Sequence, residues 1–276
     1  MSGLPISALL PDGERLHLNH GPIDLIVGAD GPERDQAFAE VIARFGSVLT
    51  GLVDELSELK SDYSGQSFAD PIAQRMARAV SPYASEHFVT PMAAVAGAVA
   101  DEMLETLVQN RNFTKAYVNN GGDIAFALAE QETLRVAAPN GTIDVKGTAP
   151  YRGIATSGWR GRSFSLGIAD AVTVLASSAA VADVAATLIA NHVDLPGHPD
   201  IVRQPAHKVE THSELGDRMV TVEVPDLPPS DVAAALNRGA EFAQICMKRG
   251  LIIGAVLALQ GETRVIPDEQ HGRLPS

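Results

Sequence analysis

The stretch AYVNNGGDIAFALAEQETLRVAAPNGTIDVKGTAPYRGIAT, Ala116–Thr156, carries five strand candidates in succession, at Ala116–Asn119, Ile124–Leu128, Leu134–Ala138, Ile143–Lys146 and Arg152–Thr156. Short turns rich in Gly, Pro and Asn separate them, and no run with helical spacing intervenes. Grouped strands favour an α+β fold over a doubly wound parallel sheet, which needs a helix between successive strands.

Outward from this stretch, strands and helices continue in groups. Towards the N-terminus, Leu16–Ala29 reads as two strands around Asn19, His20 and Gly21. Asp30, Gly31 and Pro32 then open a helix whose apolar positions are Phe38, Val41, Ile42, Phe45, Val48, Leu49, Leu52 and Leu56. Asp70 and Pro71 start a shorter helix through Val80, and the polar loop SDYSGQSF before it has the composition of a mobile lid. Thr90 and Pro91 start the Ala- and Gly-rich helix PMAAVAGAVADEMLETLVQ. Towards the C-terminus the pattern gives a strand at Ala171–Ala176, a helix at Ala179–Ala190, a strand at Val220–Val224, a helix at Asp231–Arg249, and strands at Leu251–Leu259 and Thr263–Ile266. The expected architecture is a single domain over 1–276 made of duplicated helix-on-antiparallel-sheet halves. Val193–Asp217, rich in Pro, His and charge, reads as a long surface loop.

The formal net charge is −13, apolar residues make up 45% and aromatic ones 5%. An acidic chain is a poor partner for duplex nucleic acid or an anionic membrane, both polyanions, and a small ligand is the expected guest. A lone Cys246 excludes intramolecular disulfides and cysteine-based zinc clusters, and is expected in the core. The N-terminus lacks the pattern of a secretion signal, and no run of about 18 apolar residues stands out; the expected location is cytoplasmic. The eight histidines, at 17, 20, 87, 192, 198, 207, 212 and 271, form no HExxH pattern and are expected mostly at the surface. His192, at a helix C-terminus, is expected to favour its charged form.

Three segments outline a site. Val145–Ala169 contains no Asp or Glu but holds Lys146, Arg152, Arg160 and Arg162, so the local field should suit a small anionic ligand such as a phosphate or carboxylate. Within it, Thr156, Ser157 and Gly158 end a strand just before the two later arginines, in position to offer amides and guanidinium groups to an anion. In NNGGD, either a tight hairpin turn accounts for the glycines, or Gly121 and Gly122 admit a ligand beside Asn119, Asn120 and Asp123. Asp183 and Thr187, four apart on one helix, share a face and offer hard oxygen donors of the kind magnesium takes. Their plain structural reading is that Asp183 favours the helix N-terminus while Thr187 bonds back to a carbonyl.

The phrases RLHLNHGPIDLIVGADG, FVTPMAAVAGAVADE, AYVNNGGDIA, RGIATSGWRGRSFSLGIADAVTV and ADVAATLIANHVDLPGHP, in this order, resemble the ApbE-like superfamily, and most closely its uncharacterised cytoplasmic branch. The best-known members are FAD:protein FMN transferases. The resemblance implies that Gly121, Gly122 and Asp123 line a nucleotide pocket, that Thr156, Ser157 and Gly158 match a conserved strand end, and that Asp183 and Thr187 hold Mg2+. FAD and Mg2+ are the implied cofactors, with Asp123 and Ser157 as catalytic candidates and Asn119, Asn120, Arg160 and Arg162 among the cofactor contacts. Two departures stand out. Ala96 and Gly97 replace the Lys-Gly pair of the transferases, and no His-x-x-Asp-Pro segment follows Ser165. Besides flavin phosphate-ester or FMN-transfer chemistry, the sequence leaves open a metal-independent enzyme on a small anionic or cyclic metabolite, and a non-catalytic flavin or metabolite carrier, with a homodimer packed through the Ala-rich helix.

Overall fold

The structure is a computed structural model describing residues 3–138 and 141–267; His271 lies outside the described residues. The chain opens with an edge strand, β1 (Ile6–Leu9), whose four residues are all exposed. The hairpin β2 (Leu16–His20) and β3 (Ile23–Asp30) follows, turning at Gly21. Next come helices α1 (Arg34–Asp54), α2 (Leu56–Leu59), α3 (Pro71–Val80) and α4 (Val95–Val108). Asp70 caps α3, its carboxylate accepting from the Ile72 and Ala73 amides. The five strands read from the opening stretch are β4 (Lys115–Asn120), β5 (Asp123–Leu128), β6 (Thr133–Ala138), β7 (Gly141–Lys146) and β8 (Gly153–Ser157). The chain then runs through β9 (Ala171–Ala176), α5 (Ala179–His192), β10 (Val202–Pro205), α6 (Ala206–Val209), β11 (Met219–Glu223), α7 (Pro229–Lys248), β12 (Gly254–Leu259) and β13 (Glu262–Ile266).

Nine strands form one antiparallel sheet in the order β1-β2-β3-β4-β5-β8-β9-β12-β13. This is the α+β fold expected from the grouped strands. Helices alone separate β2–β3 from β4–β5, whereas α5, the β10–β11 pair and α7 separate β8–β9 from β12–β13, with these eight strands in one continuous sheet. Helices α1, α4, α5 and α7 cover one face. The β6–β7 hairpin packs on the other through Leu134, Val136 and Val145 against Ile124, Phe126 and Ile154. Strand alternation thus assigns each side chain to a face: Ala116, Val118 and Asn120 point towards the helices, Tyr117 and Asn119 away from them.

Part of the expected surface loop 193–217 is ordered structure, which corrects the sequence reading. β10 pairs with β11, and Val193, Ile201 and Ala206 are buried. Cys246 is buried as expected. By length and mean hydropathy α1 resembles a membrane span, yet Phe38, Val41, Phe45 and Val48 form a stripe buried in the core, while Arg44 on its flank pairs with Glu102 of α4 at 2.9 Å.

The small residues of α4 serve packing within the chain. A Cβ on Gly97 would stand 2.2 Å from the Ala179 carbonyl oxygen and 2.7 Å from the Ala180 nitrogen, so only glycine lets α4 and α5 approach this closely. Overpacking of this kind costs about 1–3 kcal/mol. Gly97→Leu should therefore lower the unfolding free energy by about 3 kcal/mol, read as a drop in the denaturant midpoint at unchanged slope. An unchanged midpoint would mean that the two helices can separate freely.

Candidate functional site

A cavity of about 1080 Å³ opens at the end of the sheet where the β4–β5 turn, the segment after β8 and helix α5 meet. Asn119, Asn120, Gly121, Gly122, Asp123, Thr156, Ser157, Gly158, Arg160, Arg162, Asp183 and Thr187 all line it. The site residues read from the sequence are therefore brought to one place.

The turn has the backbone its glycines predict. Gly121 and Gly122 have φ of +64° and +117°, a region that side chains disfavour. The Asn119 carboxamide oxygen accepts from the Gly122 amide at 2.8 Å, and the Asn120 side chain donates to the Ala96 carbonyl at 3.0 Å, tying the turn to the start of α4. A Cβ on Gly121 would fall 1.7 Å from an Arg162 guanidinium nitrogen. The turn reading of NNGGD therefore holds, and the bare Gly121 leaves room for the Arg162 side chain across it.

Two carboxylates face the cavity from the helix side. Asp123 pairs with Asn120 across the hairpin and so shares its face; its Oδ1 accepts from the Thr156 amide at 3.2 Å. Burial pushes its pKa up to about 7, opposed by the Thr156 amide and by the Arg162 charge. Asp183 accepts from the Gly97 amide at 3.0 Å. Its pKa is held well above the ordinary carboxylate range, first by burial and next by the negative charge of Asp123, against the Gly97 and Ala96 amides. Although the cavity reaches Asp183, its carboxyl lies deep enough to be poorly solvated.

Asp183 does not sit at the start of its own helix, which corrects the plain structural reading. That position is served by Asp101 of α4, whose oxygens accept from the Ala179 and Ala180 amides at 3.0 and 2.9 Å, and by the Ser178 hydroxyl. Asp183 instead meets Gly97 in the first turn of α4, a helix without a side-chain cap of its own. The Thr187 and Ser157 hydroxyls line the cavity and engage no other described residue.

The acid-free window is less uniform than the sequence suggests. Arg160, expected to lack a local acid, pairs with Asp170, one residue past the window, at 3.0 Å and lies over the Trp159 ring at 4.6 Å. Arg152 turns back to the Tyr151 and Ala149 carbonyls. Lys146 and Arg152 lie outside the cavity lining, leaving Arg162 as the exposed cation over the turn. The Thr156 hydroxyl also points away from the carboxylates, to Thr173 at 2.8 Å on the opposite face. Asp170 anchors the loop after β8 through the Trp159 indole and Arg160, and Asn191 anchors its end through Ser165 and the Leu166 amide.

Sequence reasoning missed Arg15, Tyr117, Phe88 and Met92, and also Glu210 and Ser213–Leu215, which line the cavity from the far end of the 193–217 segment. The predicted lid SDYSGQSF lines none of it; Asp62 and Tyr63 are tied to Val89 by hydrogen bonds in both directions. No local signal marks these contacts, because they depend on where distant segments cross. His192 also departs from expectation. It stacks on Phe242 with centroids 3.8 Å apart, and burial lowers its pKa, overcoming the hydrogen bond to the Leu188 carbonyl.

Among the described residues no group of three or more His, Cys, Asp or Glu is placed to hold a metal. A cation here would instead use Asp123 and Asp183 with the Thr187 hydroxyl, hard oxygen donors that leave positions for water or phosphate, as Mg2+ prefers.

The buried carboxylates set a pH dependence. An aspartate whose pKa rises from 3.8 to about 7 on folding binds more protons folded than unfolded between those values. Its stabilising effect is then complete below pH 3.8 and lost as pH rises through about 7, a change of about 4 kcal/mol for three pH units. Metal-free protein should accordingly melt at lower temperature at pH 8 than at pH 5, and Asp123→Asn should remove much of that slope. A slope that Asp123→Asn leaves intact would contradict this account.

A family model described as AbpE bacteria matches residues 7–265. A UPF0280 protein of Methanothrix thermoacetophila is 40% identical over 133 residues, covering 45% of this chain and 53% of that protein. Another, from Methanococcus maripaludis, is 40% identical over 174 residues, covering 59% of this chain and 66% of the other. The matches thus span between about half and two thirds of these relatives. A solved flavin transferase ApbE from Vibrio cholerae covers 98% of this chain and 99% of that one at 12% identity and a TM-score of 0.49, a likeness that carries no functional inference. On the family match, which takes in both carboxylates, the glycine turn and Arg162, the chain belongs to the family described as AbpE bacteria.

Proposed function

We propose that the cavity binds FAD together with Mg2+, and that this chain breaks the FAD pyrophosphate, releasing AMP. The observation that carries this reading is the convergence of Asp123, Asp183 and Thr187 with Arg162 over a glycine turn in one cavity. Hard oxygen donors and a free guanidinium side by side suit a phosphate group and its cation. The cavity volume lies slightly above the usual range for small-molecule sites, which leaves room for an elongated ligand.

In this reading Asp183 and Thr187 hold the cation with help from Asp123, and Arg162 offsets negative charge on the phosphates. Bound Mg2+ would supply Lewis-acid stabilisation of charge on phosphate oxygens. Asp123, whose proton burial retains in the metal-free site, would give it up as the cation binds, and Ser157 lines the cavity beside it as a hydrogen-bonding hydroxyl. A cytoplasmic setting belongs to the same reading. Ala96 stands where the resemblance implies a lysine, and the His-x-x-Asp-Pro segment is missing. These departures favour transfer of FMN to water over transfer to a protein.

Ala96 also supports a second reading, since it leaves the cavity one positive charge fewer for a dinucleotide: a metal-independent enzyme acting on a smaller anionic or cyclic metabolite. A carrier without turnover is the remaining case.

Incubation with FAD should release AMP only when Mg2+ is present. Asp183→Asn keeps an oxygen for the Gly97 amide yet removes the charge, and should lower the rate by about 100-fold or more. Arg162→Ala should weaken FAD binding about tenfold. Binding without AMP release would favour the carrier. No FAD binding with or without Mg2+ would overturn the proposal and favour the smaller metabolite.

A further inference from the structure

The cavity continues around the Gly121–Gly122 turn onto the opposite face of the sheet, where Ile26, Tyr117, Asn119 and Val136 line it with Arg15 at the rim. Tyr117 stands directly across from Gly28 in the β3–β4 register. A Cβ on Gly28 would lie 2.4 Å from Cε1, 2.6 Å from Cζ and 2.8 Å from Oη of that tyrosine. The outer end of the ring therefore covers the glycine, occupying the place of the missing side chain. The Arg15 guanidinium, held by Asp12 at 2.6 Å, acts electrostatically on the Tyr117 phenol.

We propose that this second lobe is a stacking subsite for a planar heteroaromatic ring, with Tyr117 as its floor, Ile26 and Val136 as its walls, and Arg15 and Asn119 facing the ring's polar edge. A tyrosine across from a strand glycine also shields the backbone, and a phenylalanine would do so equally well. The shield alone gives no reason for the ring to line a cavity that also takes in Arg15, Ile26 and Val136. A ring backed by the sheet at Gly28 presents a platform that costs little ordering on binding. The assignment rests on the FAD reading for the rest of the ligand: the pyrophosphate lies at Arg162 and the turn, and one of the two ring systems lies on Tyr117.

The test uses phosphate-free ring probes beside the whole dinucleotide. Riboflavin, adenosine and FAD with Mg2+ are titrated into wild type, Tyr117→Ala and Tyr117→Phe, with thermal melting as a check on folding. Base–aromatic stacking predicts that Tyr117→Ala weakens FAD and one of the two ring probes about tenfold, while the other probe is unchanged. Tyr117→Phe should stay within about threefold, because the stacking face remains. If neither probe binds wild type, or if Tyr117→Ala melts normally and binds all ligands as wild type does, the subsite is wrong. A uniform loss for all three ligands would also overturn it, since that marks a general change in the cavity. FAD that fails to bind while one probe binds in a Tyr117-dependent way would sink the FAD reading and leave the ring subsite standing.

Discussion

Helices α4 and α5 cap each other. Asp101 of α4 accepts from the first two amides of α5, while Asp183 of α5 accepts from the Gly97 amide in the first turn of α4. Each helix N-terminus leaves amides without intrahelical partners, and each is met by a carboxylate from the middle of the other helix. The exchange requires the backbones to approach closely, which Gly97 permits. Both helices also pack on the sheet, α4 on β4 and β5, α5 on β8 and β9. The crossing consequently decides where Asp183 stands relative to the glycine turn.

This arrangement places charge where solvent cannot satisfy it. Asp123 and Asp183 are both disfavoured as anions by burial, and the charge of Asp123 adds to the difficulty at Asp183. Among the cations near them, Arg162 acts on Asp123 from an exposed position. A fold under selection for stability alone has little reason to keep two such groups together, since buried like charges oppose folding at neutral pH. The hydrogen bond from Thr156 uses one oxygen of Asp123 and leaves capacity on the other.

Much of the fold was legible because its strands alternate cleanly and its helices begin at strong signals, such as Asp70-Pro71 for α3. The exceptions have physical reasons. β1 is an edge strand exposed on both faces, so its sequence carries no alternation to read. β10 is short and contains Pro205, with its pairing interrupted by a register shift. The glycine turn, Asp183, Thr187 and Arg162 were legible because their spacing alone places them at turns or on one helix face. Tyr117 was not, because its role depends on Gly28, far away in sequence and adjacent only through strand pairing. The Arg160–Asp170 pair shows a related limit: a window free of acids says nothing about the acid just beyond it.

On the proposed reading, the carboxylates brought together by the α4–α5 crossing hold a divalent cation. The most direct test is calorimetric titration of Mg2+ into the chain near pH 7, repeated in buffers of different ionisation enthalpy to count protons released. A cation that displaces protons from Asp123 and Asp183 predicts one saturable site, proton release on binding, and loss of both in Asp183→Asn protein that remains folded. Absence of saturable binding at millimolar Mg2+, or binding unchanged in Asp183→Asn, would contradict the claim.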